Sequence, residues 1–339
     1  MTRPAPLDPR THLVQTLYSH LPFPCPAPAD APLDDVATYL RAFSRENRVD
    51  LAEASILDAG CGTGDRTAAV ADAFPGANVV GVDLCAASLE RAAARWPDAR
   101  PNLRFARANL LEPLPVDPVD LVIATGSLHH TADPVLAARN IGRALRPDGA
   151  LLLWVYGALG EHDRMVHREL VRSLVTDPAD IEDGLRVVDA LSLHVDAARY
   201  GECYGRASVT ETVQRAVDAD ALLNEIVECY RAADIAAWLA AAGFSSLALC
   251  GVTTWAARAT LRCRYAPPEP GEADLHPAYV DMRASLGDGL HDRFLALPVA
   301  DKQRVIELVH RPVGYTVLAW KQDRPPLGPR LTAGLLELS

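Results

Sequence analysis

Short apolar segments alternate with alanine-rich segments over residues 55–156, and this alternation restricts the possible folds more than any other feature of the chain. Strands separated by segments of helical length indicate βαβ units and a parallel sheet. The sequence therefore predicts an α/β fold with a doubly wound sheet. The predicted strands are Ser55–Ala59, Asn78–Val82, Leu103–Ala106, Val119–Thr125 and Ala150–Tyr156, and the predicted helices are Thr63–Ala73, Ala86–Arg95 and Pro134–Leu145.

A glycine-rich turn, Asp58-Ala59-Gly60-Cys61-Gly62-Thr63-Gly64, joins the first of these strands to the helix that follows. Glycines allow a backbone to approach a ligand where a Cβ atom would clash, and a strand that enters a helix through such a turn is typical of nucleotide-binding sites. Asp83 ends the next strand, about 20 residues further on, where a carboxylate can accept hydrogen bonds from both hydroxyls of a ribose. The combined spacing predicts a nucleotide-binding site.

Two classes of ligand compete for this turn. A turn that binds the pyrophosphate of a dinucleotide has the pattern Gly-x-Gly-x-x-Gly and a helix N-terminus free of acids, because phosphate must bind there. Here the glycines follow the pattern Gly-x-Gly-x-Gly, with Asp58 before them and Asp65 after them. A carboxylate repels phosphate but attracts the sulfonium and ammonium groups of S-adenosylmethionine. The residues therefore favour a methyl donor over a dinucleotide.

The same residues resemble the class I S-adenosylmethionine-dependent methyltransferases, closely over Ser55–Tyr156 and more loosely over Ala232–Cys250 and Val313–Lys321. The resemblance implies a Rossmann-like, seven-stranded sheet, mostly parallel, with its last strand antiparallel. It also implies methyl transfer from S-adenosyl-L-methionine, with S-adenosyl-L-homocysteine as the product. A domain that has the fold without the activity is the alternative.

The resemblance further implies a role for each matching position. The glycine turn corresponds to the motif that lines the methionine half of the cofactor, and Asp83 corresponds to the ribose-binding acid. Asn109 stands at the adenine position, where the family commonly has Asp, and Thr125 and Gly126 belong to the floor beside the transferring methyl group. The implied cofactor-binding residues are Asp58, Gly60, Cys61, Gly62, Thr63, Gly64, Asp83, Leu84, Asn109, Leu110, Thr125 and Gly126.

The remaining sequence divides into segments around this core, residues 51–156. Residues 1–50 form a proline-punctuated lead with a predicted helix, Leu33–Arg48, and residues 157–231 form a helical insertion. Residues 232–321 return to the core, with a second insertion at 266–311 and a last strand, Val313–Lys321, whose alternation predicts a sheet edge. Residues 322–339 form a tail. Other predicted elements are the helices Asp163–Val175, Val209–Ile226, Ala232–Ala242 and Ala300–Val309, the strand Ser245–Cys250, and a turn at Arg146–Gly149.

Both insertions are expected at the carboxyl ends of the strands, where ligands bind in open α/β sheets. We therefore expect the insertions and the lead to form a lid, and a homodimer surface is the alternative. His129 and His130 follow the fourth strand, near the expected methyl group, as a general base or as packing groups. Glu161, His162 and Asp163 begin the first insertion, where they contact the acceptor or form a solvated helix start.

His129 and His162 are the candidate catalytic residues. The candidate acceptor pocket comprises Tyr18, His130, Tyr156 and Tyr204, and further aromatic candidates, each also expected in the core, are Tyr200, Tyr230 and Trp255.

A net charge of −11 disfavours nucleic acids and anionic membrane surfaces as partners. Seven cysteines without a Cys-x-x-Cys pair predict reduced thiols and no metal site, and no segment reaches the about 20 apolar residues of a membrane span. We expect a cytoplasmic enzyme without a signal peptide that methylates a small molecule, such as a specialised bacterial metabolite. Methylation of a peptide or protein side chain and non-catalytic cofactor binding are the alternatives.

Overall fold

The computed structural model describes residues 8–24, 32–47, 50–96, 100–197, 209–254, 260–262, 282–322 and 336–337. The strands are β1 (Ser55–Ala59), β2 (Asn78–Asp83), β3 (Leu103–Arg107), β4 (Val119–Thr125), β5 (Leu145–Tyr156), β6 (Ser246–Thr253), β7 (Thr260–Arg262), β8 (Gly314–Trp320) and β9 (Leu336–Glu337). The helices are α1 (Pro9–His20), α2 (Asp35–Asn47), α3 (Asp65–Ala73), α4 (Ala86–Arg95), α5 (Pro134–Ala144), α6 (His162–Leu174), α7 (Ile181–Leu191), α8 (Glu211–Asp218), α9 (Ala232–Ala242), α10 (Met282–Leu286), α11 (Asp288–Leu295) and α12 (Val299–His310).

The strands form one mixed sheet in the order β3-β2-β1-β4-β5-β8-β6-β7, and β9 also pairs with β6. Strands β1 to β5 are parallel to one another, whereas β8 runs antiparallel to both β5 and β6. The expected Rossmann-like sheet of seven strands with an antiparallel last long strand is therefore confirmed. The short strands β7 and β9 extend it at β6.

The prediction that the last strand lies at a sheet edge is wrong. Strand β8 lies between β5 and β6, and all seven of its residues are buried. Tyr315 and Val317 face the side of the sheet that packs on α9, while Leu318 faces the other side. The alternation of the segment predicted an edge strand, but helices cover both faces of this part of the sheet.

The turn predicted at Arg146–Gly149 belongs to β5 in the structure. Helix α5 ends at Ala144, and Leu145 already pairs with Val119 of β4. The register of this pairing shifts between Val119 and Leu121, and the Arg146 guanidinium forms an ion pair with Asp120 on the same neighbouring strand. The turn-forming residues therefore produce an irregularity within a strand instead of a break before it.

Apolar side chains from the helices cover both faces of the sheet. One face is covered by α5 and α9, including Ile141, Ile235 and Leu239, and the other by α2 and α3, including Leu40 and Val70. Because a parallel sheet buries both faces, its carboxyl edge is left as the place for a ligand.

The first insertion is helical in its described residues, 157–197 and 209–231, with α8 continuing into a π-helical turn at Ala219–Leu223. Leu17 of α1 packs against Ile181 and Leu185 of α7, so the lead and the insertion share a small core. In the second insertion, Phe294 and Ile306 pack into the main core. Within the described part of the chain, no helix has the length and apolar character needed to cross a bilayer.

Candidate functional site

The glycine turn between β1 and α3 adopts a backbone that favours glycine. Gly60, Gly62 and Gly64 have φ angles of +85°, +54° and +77°, which side-chain-bearing residues rarely adopt. The backbone N–H groups of Gly60 and Cys61 both donate to the carbonyl of Val82, at 2.8 and 3.0 Å. These bonds anchor the turn to the end of β2, beside the predicted ribose-binding acid.

Neighbouring protein atoms approach the three turn glycines closely, but not Gly126. A Cβ on Gly60 or Gly62 would collide with Ser127 or Phe23, and one on Gly64 would lie 2.6 Å from the Phe105 ring. Gly126 follows β4 with a φ of +76°, and a Cβ there would meet no atom of the described residues within 4 Å, apart from its chain neighbours. Gly126 therefore borders open space at the carboxyl edge of the sheet, where the methyl group is expected.

Asp83 accepts two backbone hydrogen bonds at the end of β2. Gly62 N–H donates to Oδ2 at 2.9 Å, and Cys85 N–H donates to Oδ1 at 2.8 Å. Burial raises the pKa of Asp83. Each carboxylate oxygen has a second lone pair, so the group can still accept hydrogen bonds from ribose hydroxyls. Asp83 fits the predicted role.

Asp58 gives the inner side of the turn its acidic character. Thr67 Oγ1 donates to Asp58 Oδ2 at 2.6 Å, and burial raises the pKa of Asp58 to about 6. Asp65 is fully buried at the start of α3, with Thr63 Oγ1 3.3 Å from its Oδ2. A buried carboxylate at a helix N-terminus leaves no suitable place for a phosphate, whereas a cationic ligand would lower the cost of ionising Asp58.

The predicted adenine position is built from polar backbone and side-chain contacts. Asn109 Oδ1 accepts from Leu111 N–H at 3.0 Å, and its Nδ2 donates to Glu112 Oε1 at 3.3 Å. Leu110 is buried next to it. The amide oxygen of Asn109 thus caps its own loop, and its second lone pair is the group that can meet an adenine amino group.

The lead lies against the glycine turn. Thr63 Oγ1 donates to the carbonyl of Pro24 at 2.9 Å, and Gln15 Nε2 of α1 lies 3.4 Å from the carbonyl oxygen of Leu84. These contacts connect the two sides of the predicted cofactor site, Thr63 and Leu84, to the N-terminal segment. They agree with the lid that the sequence predicts, which stays a prediction.

His129 is a packing residue in its geometry. Its side chain is fully buried, and its ring packs against those of His130 and Tyr156, with centroids 4.2 and 4.1 Å away. Neither ring nitrogen has a hydrogen-bond partner among the described residues. Burial lowers the pKa of His129 far below its ordinary value, so the ring is neutral. These features favour the packing alternative for His129, whose catalytic role stays a prediction.

Three of the four predicted pocket residues converge on one carboxylate, that of Asp220. Tyr18 Oη donates to Asp220 Oδ1 at 2.6 Å, and Tyr156 Oη donates to Oδ2 at 3.4 Å. His130 Nε2 lies 3.9 Å from Oδ1. Asn224 Nδ2 donates to Tyr18 Oη at 2.9 Å and completes the cluster. We call these five residues the Asp220 cluster.

Sequence reasoning missed Asp220 and Asn224. Both are buried, and both lie at the π-helical turn that ends α8. One signal was available, because a single carboxylate interrupts the apolar run Ala219-Asp220-Ala221-Leu222-Leu223. A buried acid in an apolar segment requires partners, and π-helical turns occur frequently at functional sites.

The other predicted residues lie apart from this cluster or outside the described residues. His162 is exposed at the first position of α6, whereas the neighbouring Glu161 is buried and forms an ion pair with Arg164. Tyr230 packs on Trp238. Among the described residues, no group of His, Cys, Asp and Glu side chains could hold a metal ion. The predicted positions that lie outside the described residues are Tyr200, Tyr204 and Trp255.

Comparison with known proteins gives matches over the part of the chain that contains the glycine turn. Residues 57–151 match the family model described as a methyltransferase domain. A trans-aconitate 2-methyltransferase of Deinococcus radiodurans is 39% identical over 118 residues, which are 34% of this chain and 42% of that protein. One from Azoarcus sp. is 31% identical over 141 residues, which are 42% of this chain and 47% of that protein. The chain thus spans less than half the length of these two curated relatives.

Solved structures show the same fold over most of the chain. The structure of PKMT2 from Rickettsia typhi has a TM-score of 0.60 at 15% identity and covers 88% of this chain and 56% of that one. The same protein in complex with AdoHcy has a TM-score of 0.58 at 16% identity and covers 90% of this chain and 56% of that one. At such identities the likeness shows the fold alone.

Proposed function

We propose that this chain, whose residues 57–151 form a class I S-adenosylmethionine-dependent methyltransferase domain, transfers the methyl group of S-adenosylmethionine to a small-molecule acceptor. The relatives named trans-aconitate 2-methyltransferase support a small acceptor. We extend the proposal to a specialised metabolite of bacteria as the acceptor. The net charge of −11 supports a partner other than a nucleic acid.

The observation that carries the proposal is the glycine turn together with two acids beside it, the buried Asp58 and the partly exposed Asp83. Asp58 lies before the turn, and Asp83 is hydrogen-bonded to its central glycine, Gly62. When bound, S-adenosylmethionine supplies a methyl group on a positively charged sulfur. In the proposal, Asp83 holds the ribose hydroxyls, Asn109 meets the adenine, and the carboxylate of Asp58 offsets the positive charge at the methionine end.

The acceptor side is proposed at the carboxyl ends of β4 and β5. His130 follows β4 and Tyr156 ends β5, so both lie at the carboxyl edge of the sheet. The glycine turn follows β1 at the same edge. Tyr18 of the lead reaches the same place through its bond to Asp220 of the insertion. These groups can orient a small acceptor and exclude water, and orientation and desolvation supply much of the catalysis in a displacement at carbon.

Of the histidines, we propose His130 as the group that faces the acceptor. Its side chain is 7% exposed, and its Nε2 lies 3.9 Å from Asp220 Oδ1, whereas the side chain of His129 is fully buried. His162 remains a second candidate, on the surface at the entrance of the first insertion.

Isothermal titration calorimetry with S-adenosylmethionine and S-adenosylhomocysteine tests the cofactor half of the proposal. We expect both to bind, and NAD not to bind. Transfer of a labelled methyl group to a panel of small molecules, with trans-aconitate included, tests the acceptor half. If neither adenosyl compound binds, the proposed function is wrong, and labelling of proteins without labelling of any small molecule would favour the protein-methylating alternative.

A further inference from the structure

The carboxylate of Asp220 is buried, and the side chains that contact it directly among the described residues carry no full positive charge. Asp220 is 3% exposed, and its partners among the described residues are the hydroxyls of Tyr18 and Tyr156 and the ring of His130. Hydroxyls can donate to a carboxylate, but they do not neutralise its charge. Buried charges in proteins are normally paired with an opposite charge. Asp220 therefore needs a cation that the tyrosines do not supply.

His130 is held as a hydrogen-bond acceptor and not as this cation. Its Nδ1 lies 2.7 Å from the carbonyl oxygen of Ile226, which can only accept, and 3.2 Å from Asn224 Nδ2, which can only donate. The contact with the carbonyl is shorter, and Asn224 Nδ2 already donates to Tyr18 Oη at 2.9 Å, so we assign the proton to Nδ1. Burial is the main influence on the pKa of His130 and lowers it, although the carboxylate of Asp220 acts in the opposite direction. The neutral ring then has a bare Nε2, which lies 3.9 Å from Asp220 Oδ1.

The nearby arginines are engaged with the backbone around Asp220. Helix α6 carries Arg164, Arg168 and Arg172 on one side, and each donates to carbonyl oxygens within residues 221–225. Arg164 also pairs with Glu161, and its guanidinium carbon lies 4.4 Å from the centroid of the Tyr156 ring. These contacts fix the turn that carries Asp220 and leave its carboxylate directed at the tyrosines and His130.

We propose that Asp220 Oδ1 and His130 Nε2 together bind a protonated amine of the methyl acceptor, which makes the acceptor a cationic, amine-bearing small molecule. This proposal rests on the proposed function. An ammonium has several N–H donors and no acceptor, so it matches two acceptors that face each other. Two atoms 3.9 Å apart can both lie about 2.9 Å from one nitrogen.

The aromatic rings of the cluster suit the same ligand. The rings of Tyr18 and Tyr156 lie 6.3 and 5.8 Å from that of His130, measured between centroids. Asp220 is only 3% exposed among these rings, and the attraction between an ammonium and a carboxylate is strongest where water is excluded. A carboxylate ligand would instead face Asp220 directly, and like charges in a buried site repel strongly.

The position of the cluster assigns this amine to the acceptor and not to the cofactor. His130 is four residues beyond Gly126, and Tyr156 ends β5, which pairs with β4 through Trp154 and Thr125. The acids assigned to the cofactor, Asp58 and Asp83, lie at the ends of β1 and β2. The sheet order therefore places the Asp220 cluster on the opposite side of Gly126 from the ribose-binding acid.

Three probes of one shape but different charge test the proposal: benzylamine, benzyl alcohol and benzoate. Binding of each to the full chain saturated with S-adenosylhomocysteine is measured by calorimetry at pH 7.5. We expect benzylamine to bind at least tenfold more tightly than benzoate, with benzyl alcohol between them. We expect Asp220→Asn to reduce this preference to less than threefold. Equal or tighter binding of benzoate, or an unchanged preference in the variant, would overturn the proposal.

Asp218→Asn is the matched control. Asp218 is also a buried carboxylate of the first insertion, but it accepts from Val195 N–H at 2.7 Å and lies 3.0 Å from His194 Nδ1, outside the Asp220 cluster. It should keep the wild-type preference, and loss of the preference in this variant would show that a general negative charge attracts the amine.

A measurement on the wild-type protein keeps the proposal testable if Asp220→Asn does not fold. The ¹⁵N chemical shift of His130 Nε2 should report a bare nitrogen and should move on addition of benzylamine but not of benzoate. A protonated Nε2, or no movement with benzylamine, contradicts the proposal. Binding of S-adenosylhomocysteine without an amine preference refutes only this inference, whereas failure to bind it refutes the proposed function.

Discussion

Replacing Gly126 with alanine tests whether the cofactor and acceptor meet above the end of β4. The residue has a φ of +76°, and its N–H donates to the carbonyl of Trp154 at 3.1 Å, so its backbone is held in place. Among the described residues, and apart from the two chain neighbours, a Cβ at this position would meet no atom within 4 Å. The protein itself therefore has room for the methyl group of alanine, and a bound ligand would be the first object that this group meets.

In the free protein, the substitution lowers the free energy of unfolding only because alanine must adopt the left-handed backbone conformation. An L-residue in the left-handed region destabilises the folded state by about 1–2 kcal/mol. Alanine also lowers the conformational entropy of the unfolded chain relative to glycine, which offsets about 0.4–1 kcal/mol of this destabilisation. We expect a net loss of about 1 kcal/mol, which lowers the thermal midpoint of a domain of this kind by about 2–4 °C. In contrast, a methyl group within van der Waals distance of the cofactor should weaken binding by tenfold or more, about 1.4 kcal/mol.

Gly243→Ala is the matched control for Gly126→Ala. Gly243 ends α9 with a φ of +100°, and a Cβ there also meets nothing within 4 Å, but it lies away from the glycine turn and the Asp220 cluster. Both variants should lose similar thermal stability by scanning calorimetry, while only Gly126→Ala should bind S-adenosylhomocysteine more weakly. If titration gives the two variants the same affinity as the wild type, Gly126 does not border the cofactor and the assignment of the methyl site is refuted.

Three further substitutions probe the acids and the buried histidine. Both carboxylate oxygens of Asp83 accept backbone N–H groups, and Asp83→Asn leaves only one side-chain oxygen as an acceptor. Calorimetry should therefore show at least tenfold weaker binding of S-adenosylhomocysteine. Unchanged affinity would show that Asp83 does not bind the ribose. Burial raises the pKa of Asp58 from 3.8 to about 6, so the folded state loses stability as the pH rises through that interval. Asp58→Asn should therefore stabilise the free protein in urea at pH 7.5 but not at pH 4. We also expect the affinity of the wild-type protein for S-adenosylmethionine to rise between pH 5 and 7 as Asp58 ionises, and we expect Asp58→Asn to abolish this rise. Burial lowers the pKa of the His129 ring below 6.5 in the folded state. Below pH 6.5 the ring therefore binds a proton in the unfolded chain but not in the folded protein, so the free energy of unfolding falls as the pH falls. His129→Phe should make urea denaturation less sensitive to pH between 7 and 5, and an unchanged pH dependence would contradict the neutral, packed state of this ring.

Much of the fold was predictable because its signals are local. The segments Val119–Thr125, Ala86–Arg95 and Ala232–Ala242 have the bounds that were predicted from apolar runs and periodicity. The place of β8 was not predictable in this way, because its burial depends on the helices that cover it and not on its own alternation. The irregular start of β5 was missed for a similar reason, since pairing with Val119 overrides the turn propensity of Arg146–Gly149.

The cofactor side of the site is determined largely by the sequence itself. The turn from Asp58 to Gly64 lies within one stretch of chain, and its left-handed glycines and flanking acids express physical requirements that can be read residue by residue. Asp83 follows at the end of the next strand. A binding site that is formed by one short stretch of chain can be recognised from the residues of that stretch.

Only the tertiary structure decided the acceptor side. Tyr18 and Asp220 are 202 residues apart, yet their oxygens lie at 2.6 Å, and His130 joins them from the end of β4. The sequence indicated Tyr18, His130 and Tyr156 as candidates but not the carboxylate that they contact. Contacts between distant segments of the chain produce no regular spacing in the sequence. It took the packing of the lead against the first insertion to bring a buried carboxylate to the end of the sheet.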